Sequence, residues 1–305
     1  MKIGTCQYIE QQYIFIDNGN HYILPALSQD AGILPDNPAW QDMHAFIEQY
    51  PELTITLKKI LANQDPAAVI AYDHPEFALL APIPRPRKNV MCLGLNYLEH
   101  AEETAEHVGR SAKKPKYPIV FTKATHCVTG HEATIPYDPD SCSQLDWESE
   151  LGVIIGRGGR KISAENALDH VFGYTVINDL SARDLQHNHK QFFLGKSIDG
   201  GCPIGPHIIT ADEITDPQNL DLSCRVNGVT KQSSNTRHMI FGIAETIATL
   251  SRGMTLEPGD IIATGTPSGV GFVREPAEFL LPGDVVECEV EGVGVLRNTI
   301  GQPQE

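Results

Sequence analysis

Two glutamates, Glu148 and Glu150, sit two residues apart in the run Asp146-Trp147-Glu148-Ser149-Glu150-Leu151-Gly152-Val153-Ile154-Ile155-Gly156. The second half of that run is apolar, rich in β-branched residues and bounded by Gly156, which predicts a buried strand. Alternation along a strand turns Glu148 and Glu150 to one side, with Trp147, Ser149 and Leu151 on the other. Two like charges beside a core are costly unless something neutralises them. A divalent cation would do so; the other reading is an exposed strand end whose glutamates are simply solvated. A third carboxylate, Asp179, directly follows the apolar run Val171-Phe172-Gly173-Tyr174-Thr175-Val176-Ile177-Asn178. It has the same need for a partner, which a cation or the nearby Arg183 would meet.

His100 and Glu103 stand three residues apart in Leu98-Glu99-His100-Ala101-Glu102-Glu103, a helix start, and so share one helical face. A carboxylate holding one imidazole nitrogen raises the basicity of the other, the base–orienter pair that water activation needs. An exposed helix with an incidental charge pair is the plainer alternative. Lys196 closes Phe192-Phe193-Leu194-Gly195-Lys196; it either snorkels to the surface or pairs with a substrate carboxylate or enolate. The loop Gly265-Thr266-Pro267-Ser268-Gly269-Val270-Gly271 can bring backbone N–H groups up to an anion. It lacks the Gly-Lys-Ser/Thr ending of a P-loop and opens no helix within a βαβ unit. His187 and His189 resemble a metal pair but read as a solvated helix face.

These groups need a β-rich frame to position them. Residues 1–84 read as a small accessory α+β unit: Tyr13-Ile14-Phe15-Ile16 and His21-Tyr22-Ile23-Leu24 flank Asp17-Asn18-Gly19-Asn20, a hairpin signal. Helical patterns follow near residues 38–49 and 53–62. The proline-alternating stretch at residues 81–87 reads as a stiff connector, so the boundary falls there and residues 85–305 form the larger part. Within it, Asn89 through Tyr97 and Pro118 through Lys123 predict strands, and residues 105–116 form a polar segment, either a mobile lid or a surface loop. Ser181 fits a helix N-cap. Asn227-Gly228 marks a second hairpin, residues 239–252 an amphipathic helix capped at Asn235 or Thr236, and two strands near residues 285–290 and 295–300 close the chain.

Composition narrows the function classes. The 305 residues are 41% hydrophobic and 20% charged, an ordinary globular balance, long enough for one large domain or two smaller ones. The formal charge of −16, with no basic cluster beyond Arg85, Arg87 and Lys88, argues against nucleic acid or an anionic membrane surface as partner. The seven scattered cysteines never form Cys-x-x-Cys, which argues for a reducing compartment. No secretory signal or membrane-length apolar stretch is visible, and the expected location is the cytoplasm.

Five stretches occur in the order found in fumarylacetoacetate hydrolase family proteins, and the chain resembles that family over residues 89–300. They are residues 94–103, the run from Asp146 to Gly156, Asn178-Asp179-Leu180-Ser181-Ala182-Arg183-Asp184, Gly195-Lys196-Ser197-Ile198-Asp199, and residues 264–271. The N-terminal part resembles the short extra domain of bacterial members that cleave oxaloacetate and acylpyruvates. The resemblance implies an α+β, β-rich catalytic domain of mixed β-roll type, usually paired as a homodimer. By position it makes Glu148, Glu150 and Asp179 ligands of Mg²⁺ or Mn²⁺, and His100 and Glu103 a water-activating dyad at the start of a ligand-ordered lid. Lys196, Arg183, Gln186 and Thr266 match substrate-contacting positions.

The chemistry so implied is cation-dependent C–C bond cleavage of small 2-oxo acids through an enolate. Three carboxylate oxygens leave about three positions of an octahedral ion open for a 2-oxo acid and water, and the ion takes up charge as the bond breaks. Acylpyruvate hydrolysis would use water activated by His100–Glu103, whereas oxaloacetate decarboxylation needs no such water. The alternatives are an isomerase or decarboxylase of hydroxymuconate-type or fumarylpyruvate-type intermediates, or a non-catalytic ligand-binding protein on the same fold.

Overall fold

The Ser149–Ile155 strand is buried at every position and lies inside a long sheet. In the computed structural model, which describes residues 1–30, 32–107, 109 and 114–303, that sheet runs in a fixed order. From one edge come Val69–Ile70, Tyr22–Ile23, Gln11–Asp17 and Lys2–Tyr8, then Cys202–Thr210, Val171–Asn178 and Ser149–Ile155, and finally Ile261–Ala263, Val90–Gly94 and Ile119–Lys123. Such central strands are buried on both faces, which is why their sequences are continuous apolar runs rather than alternating ones. A second sheet is ordered Val229–Asn235, Asp221–Val226, Val285–Val290, Gly294–Pro303 and Thr134–Tyr137. Leu151, Val153 and Val176 of the first sheet share one core with Leu222, Val286 and Leu296 of the second. The opposite face of the first sheet, including Ile154, Ile177 and Ile204, is covered by Trp40, Phe46 and Leu57. The architecture is therefore α+β and β-rich, as the sequence predicts.

Residues 1–84 join the larger sheet directly. Lys2–Tyr8, a strand the sequence patterns do not announce, pairs with Gln11–Asp17 on one side and with Cys202–Thr210 on the other, through Lys2↔Ile209 and Ile3↔Ile208. The predicted hairpin forms, with Ile16 opposite Ile23. The two helical patterns at 38–49 and 53–62 are replaced by a short 3-10 turn, Pro38–Trp40, and one helix, Met43–Asn63, which runs through Pro51. A proline costs that helix a backbone hydrogen bond, but Phe46, Ile47, Leu53, Leu57 and Ile60 are all buried along its length. Burial of each such side chain contributes about 1.5–3 kcal/mol, which outweighs the local break. Asp42 caps its start, accepting from the Ala45 N–H at 2.8 Å.

The C-terminal hairpin turns at Asn227 and Gly228, both with positive φ, as a two-residue loop of this kind requires. Asn235 caps a 3-10 turn, Thr236–His238, and not the following helix, which begins only at Ile243 behind Gly242. All seven cysteines are unpaired and buried. Among the described residues no helix is long and apolar enough to cross a membrane. The polar segment at 105–116 lies partly outside the described residues.

Candidate active site

Pairing register brings the three carboxylates together. Ser149 pairs with Asn178, Asp146 with Ser181, and the Asp179 N–H donates to the Glu148 carbonyl at 2.9 Å. Glu148 and Asp179 therefore sit side by side where two neighbouring strands end, with Glu150 two positions into the first. One carboxylate oxygen from each lies within 4.8 Å of the others, and all three residues are buried. The solvated strand end is thereby excluded.

Three cations surround the cluster. Lys196 Nζ lies 2.7 Å from Glu148 Oε2 and 2.8 Å from Asp179 Oδ2. Lys123 Nζ lies 2.7 Å from Asp179 Oδ1 and donates to the Leu180 carbonyl at 2.9 Å. Arg183 Nη2 lies 2.8 Å from Glu148 Oε1, a charge contact whose angles fall outside hydrogen-bond geometry. Arg183 is therefore not the counter-ion of Asp179; its guanidinium is held by Asp146 at 2.8 Å and turned to Glu148 instead. Lys196 is buried, not snorkelled to the surface. Burial opposes the charge on Glu148, but Lys196, Arg183 and His100 outweigh it and hold the acid below the ordinary carboxylate range.

Glu150 is the exception. Burial, then the charges of Asp179 and Glu148, push its acid well above the usual value, against a smaller opposing pull from Lys196 and the Gly265 N–H. Among the described residues its Oε2 accepts only the Gly265 N–H, at 2.7 Å, and its Oε1 is buried without a partner. Gly265 reaches it with φ +94, and a Cβ there would meet Asn96 Cβ at 2.7 Å. An orphaned oxygen on a carboxylate beside two others is the donor set a hard divalent cation takes. Glu148, Glu150 and Asp179 fit Mg²⁺ or Mn²⁺.

His100 is buried at the start of the Leu98–His107 helix, its Nδ1 2.7 Å from Glu103 Oε1. Glu103 in turn accepts the Gly269 N–H at 3.0 Å, which ties the helix to the glycine-rich loop. Because a carboxylate only accepts, this network assigns a proton to Nδ1, so that in the neutral imidazole Nε2 is the acceptor. Asn96 sets the entry to this helix, with Nδ2 on the carbonyls of Phe241 and Thr264 and Oδ1 on the Phe241 N–H.

His100, Glu148, Arg183, Gln186, Lys196 and Thr266 all line one cavity of about 160 Å³, with Leu93, Leu95, Phe121, Phe192 and Phe272 as its apolar walls. Larger hollows exist, such as that of about 500 Å³ beside Tyr137, Cys142 and Asp199, but among the described residues only this one meets a carboxylate cluster that could hold a metal. Gln186 Oε1 accepts from Arg183 Nη1 at 3.0 Å. Thr266 Oγ1 donates to the Ser149 carbonyl at 3.0 Å and accepts from Gln232 Nε2 at 2.8 Å.

Sequence reasoning missed three participants. Lys123 was visible only as a lysine ending an apolar strand. Asp146, fully buried, accepts the N–H groups of Gly271 at 2.7 Å and Phe272 at 3.2 Å besides Arg183 Nε; its place before the two glutamates was the sole signal. His187 is exposed, as the solvated-face reading expects, but its ring also borders the cavity, 5.8 Å from that of Phe272. Ser181 does not cap a helix: it lies in the Ser181–Ala182 strand and donates to the Asp179 carbonyl at 3.0 Å.

Comparison with known proteins places this geometry in context. A family model described as fumarylacetoacetate (FAA) hydrolase C-terminal matches residues 89–301. Oxaloacetate tautomerase YisK of Bacillus subtilis is 51% identical over 230 residues, 75% of each chain. A fumarylacetoacetate hydrolase from Exiguobacterium antarcticum superposes with a TM-score of 0.80 at 36% identity, covering 99% of both chains. Maleylpyruvate hydrolase from Sphingobium sp. SYK-6, solved with manganese(II) and pyruvate, superposes at 0.76 with 27% identity over the full length of both.

Proposed function

The chain belongs to the fumarylacetoacetate hydrolase family, and from that premise we propose that it moves a proton on the carbon beside the keto group of small 2-oxo diacids of the oxaloacetate type, interconverting keto and enol forms with the help of Mg²⁺ or Mn²⁺. The observation that carries this reading is the oriented His100–Glu103 pair opening into the same small cavity as Glu148 and Lys196. Glu148, Glu150 and Asp179 would hold the cation, which when bound supplies Lewis acidity for the charge that develops on the 2-oxo group.

The remaining work falls to side chains. His100 Nε2, the free acceptor, takes the C–H proton, and Glu103 stabilises the imidazolium that results. The same nitrogen returns the proton to the oxygen, completing the enol. Lys196 and Arg183 supply positive charge for the substrate carboxylates. Leu93, Leu95, Phe121, Phe192 and Phe272 exclude water and strengthen each of these interactions.

A second reading, C–C bond cleavage of acylpyruvates or oxaloacetate, uses the same enolate; its support is the likeness to a maleylpyruvate hydrolase that holds manganese and pyruvate. One assay separates the two. Oxaloacetate enolisation is followed by ultraviolet absorbance with Mg²⁺, with EDTA, and in His100→Ala, alongside pyruvate release from oxaloacetate and acetylpyruvate. Fast, cation-dependent enolisation with little pyruvate release supports tautomerisation. Pyruvate release at comparable rates favours cleavage. Turnover indifferent to EDTA sinks both.

A further inference from the structure

We propose that Lys196 is an exchangeable counter-ion: its two ion pairs compete with the divalent cation, and cation binding releases the ammonium to the substrate side of the cavity. The proposal rests on Glu148, Glu150 and Asp179 being the cation's ligands.

Lys196 bridges two of those three acids, at 2.7 Å from Glu148 Oε2 and 2.8 Å from Asp179 Oδ2. Each of its partners keeps a second cation on its other oxygen. Glu148 Oε1 has Arg183, which Asp146 and Gln186 hold in place at 2.8 and 3.0 Å. Asp179 Oδ1 has Lys123, fully buried and fixed to the Leu180 carbonyl. If Lys196 leaves, neither acid is left without a counter-charge. Arg183 and Lys123 have no such freedom, because each is also anchored outside the triad, Arg183 on Asp146 and Gln186 and Lys123 on the Leu180 carbonyl.

The remaining charged-group contact of Lys196 is soft: its ammonium lies 5.1 Å from the centre of the Phe121 ring, in the wall of the cavity. Lys123 does not line the cavity. A dication drawing on the same two carboxylates stands within a few ångströms of this ammonium, and like charges at that range repel strongly in a buried site. The same repulsion aims the freed ammonium at an incoming carboxylate. Cation and 2-oxo acid would then bind synergistically, each favouring the arrangement the other needs.

The test is calorimetric titration of the full-length protein with Mn²⁺, then of the Mn²⁺-loaded protein with pyruvate, in wild type and Lys196→Met. The expected result is Mn²⁺ binding about tenfold tighter in the variant, together with pyruvate binding about tenfold weaker or worse. If Lys196 merely holds the two acids together, its loss leaves them to repel each other, and Mn²⁺ affinity falls or stays level; that result overturns the proposal. Failure of wild type to bind Mn²⁺ overturns instead the assignment of the ligands on which it rests. Should Lys196→Met not fold, wild type is treated with cyanate and Lys196 carbamylation is read by peptide mass spectrometry. Mn²⁺ should speed that modification several-fold, and an equal or slower rate overturns the proposal.

Discussion

Lys123 Nζ and Asp179 Oδ1 meet at 2.7 Å with both side chains fully shielded from solvent. An ion pair so deep is held by its completeness: the ammonium also bonds the Leu180 carbonyl, and the second carboxylate oxygen has Lys196. Removing one member leaves a buried charge without compensation. Lys123→Met is therefore expected to destabilise the fold by about 3–5 kcal/mol, read by urea denaturation at neutral pH. A loss under about 1 kcal/mol would place the pair in a far better solvated setting than the structure shows.

Glu150 carries the opposite sign. Its acid is raised by burial and by Asp179 and Glu148, so the folded state binds its proton over a pH range in which the unfolded chain has lost it. The stability it contributes is full below the unfolded value of 4.5 and is lost as pH rises toward the folded value. In EDTA at pH 8, Glu150→Gln should melt at or above wild type, because the amide mimics the protonated acid. Its Mn²⁺ affinity should fall about a hundredfold or more. A variant that melts lower in EDTA and keeps its Mn²⁺ affinity contradicts both statements.

His100 and Glu103 should separate in degree. Loss of a positioned acid–base group costs roughly a hundredfold to ten-thousandfold in rate, and His100→Ala is expected in that range for oxaloacetate enolisation. Glu103→Gln keeps the shape but can donate where the carboxylate accepts, favouring the wrong imidazole tautomer; about tenfold or more is expected. Unchanged melting temperatures must accompany both losses. Equal activity of Glu103→Gln and wild type would remove Glu103 from the orienting role.

Away from the site, burial pushes the His207 imidazole down to about 4, with Lys2 adding to the effect and the Val293 carbonyl opposing it. Its ring nitrogen Nε2 lies 2.8 Å from that carbonyl. The unfolded chain takes up this proton near 6.5, the folded one only near 4, so stability falls as pH drops through that window. The shift corresponds to about 3 kcal/mol. His207→Gln should remove that share of the difference between denaturation free energies at pH 7 and pH 4. An identical pH profile in variant and wild type would count against a neutral, buried His207.

Family membership was legible because five local stretches carry it, each defined by neighbours in the chain. The carboxylates, the dyad and Lys196 lie within them, and the structure gathers all of these around one small cavity. Their roles remain to be tested by the measurements above. The errors in the sequence reading share a cause. Ser181 looks like a cap because a helix begins two residues later, but Asp146 across the way draws it into a strand pair. Pro51 looks like a helix end, but the sheet beneath supplies enough apolar contact to carry the helix through it.

What the sequence determined by itself is therefore what short-range patterns encode: buried strands as apolar runs, hairpins as Asn-Gly pairs, and three carboxylates at strand ends that each need a partner. Which partner each one found was decided only in three dimensions. Lys123 is 56 residues from Asp179, and Arg183, four residues away, turned instead to Asp146 and Glu148. Nothing in the spacing of the chain distinguishes those choices. They follow from strand register, which sets the distances between charges, and in a buried site distance decides which ion pair forms. The sheet likewise took in Lys2–Tyr8 through a partner strand some two hundred residues further along, a pairing whose selection depends on shared burial rather than on any local signal.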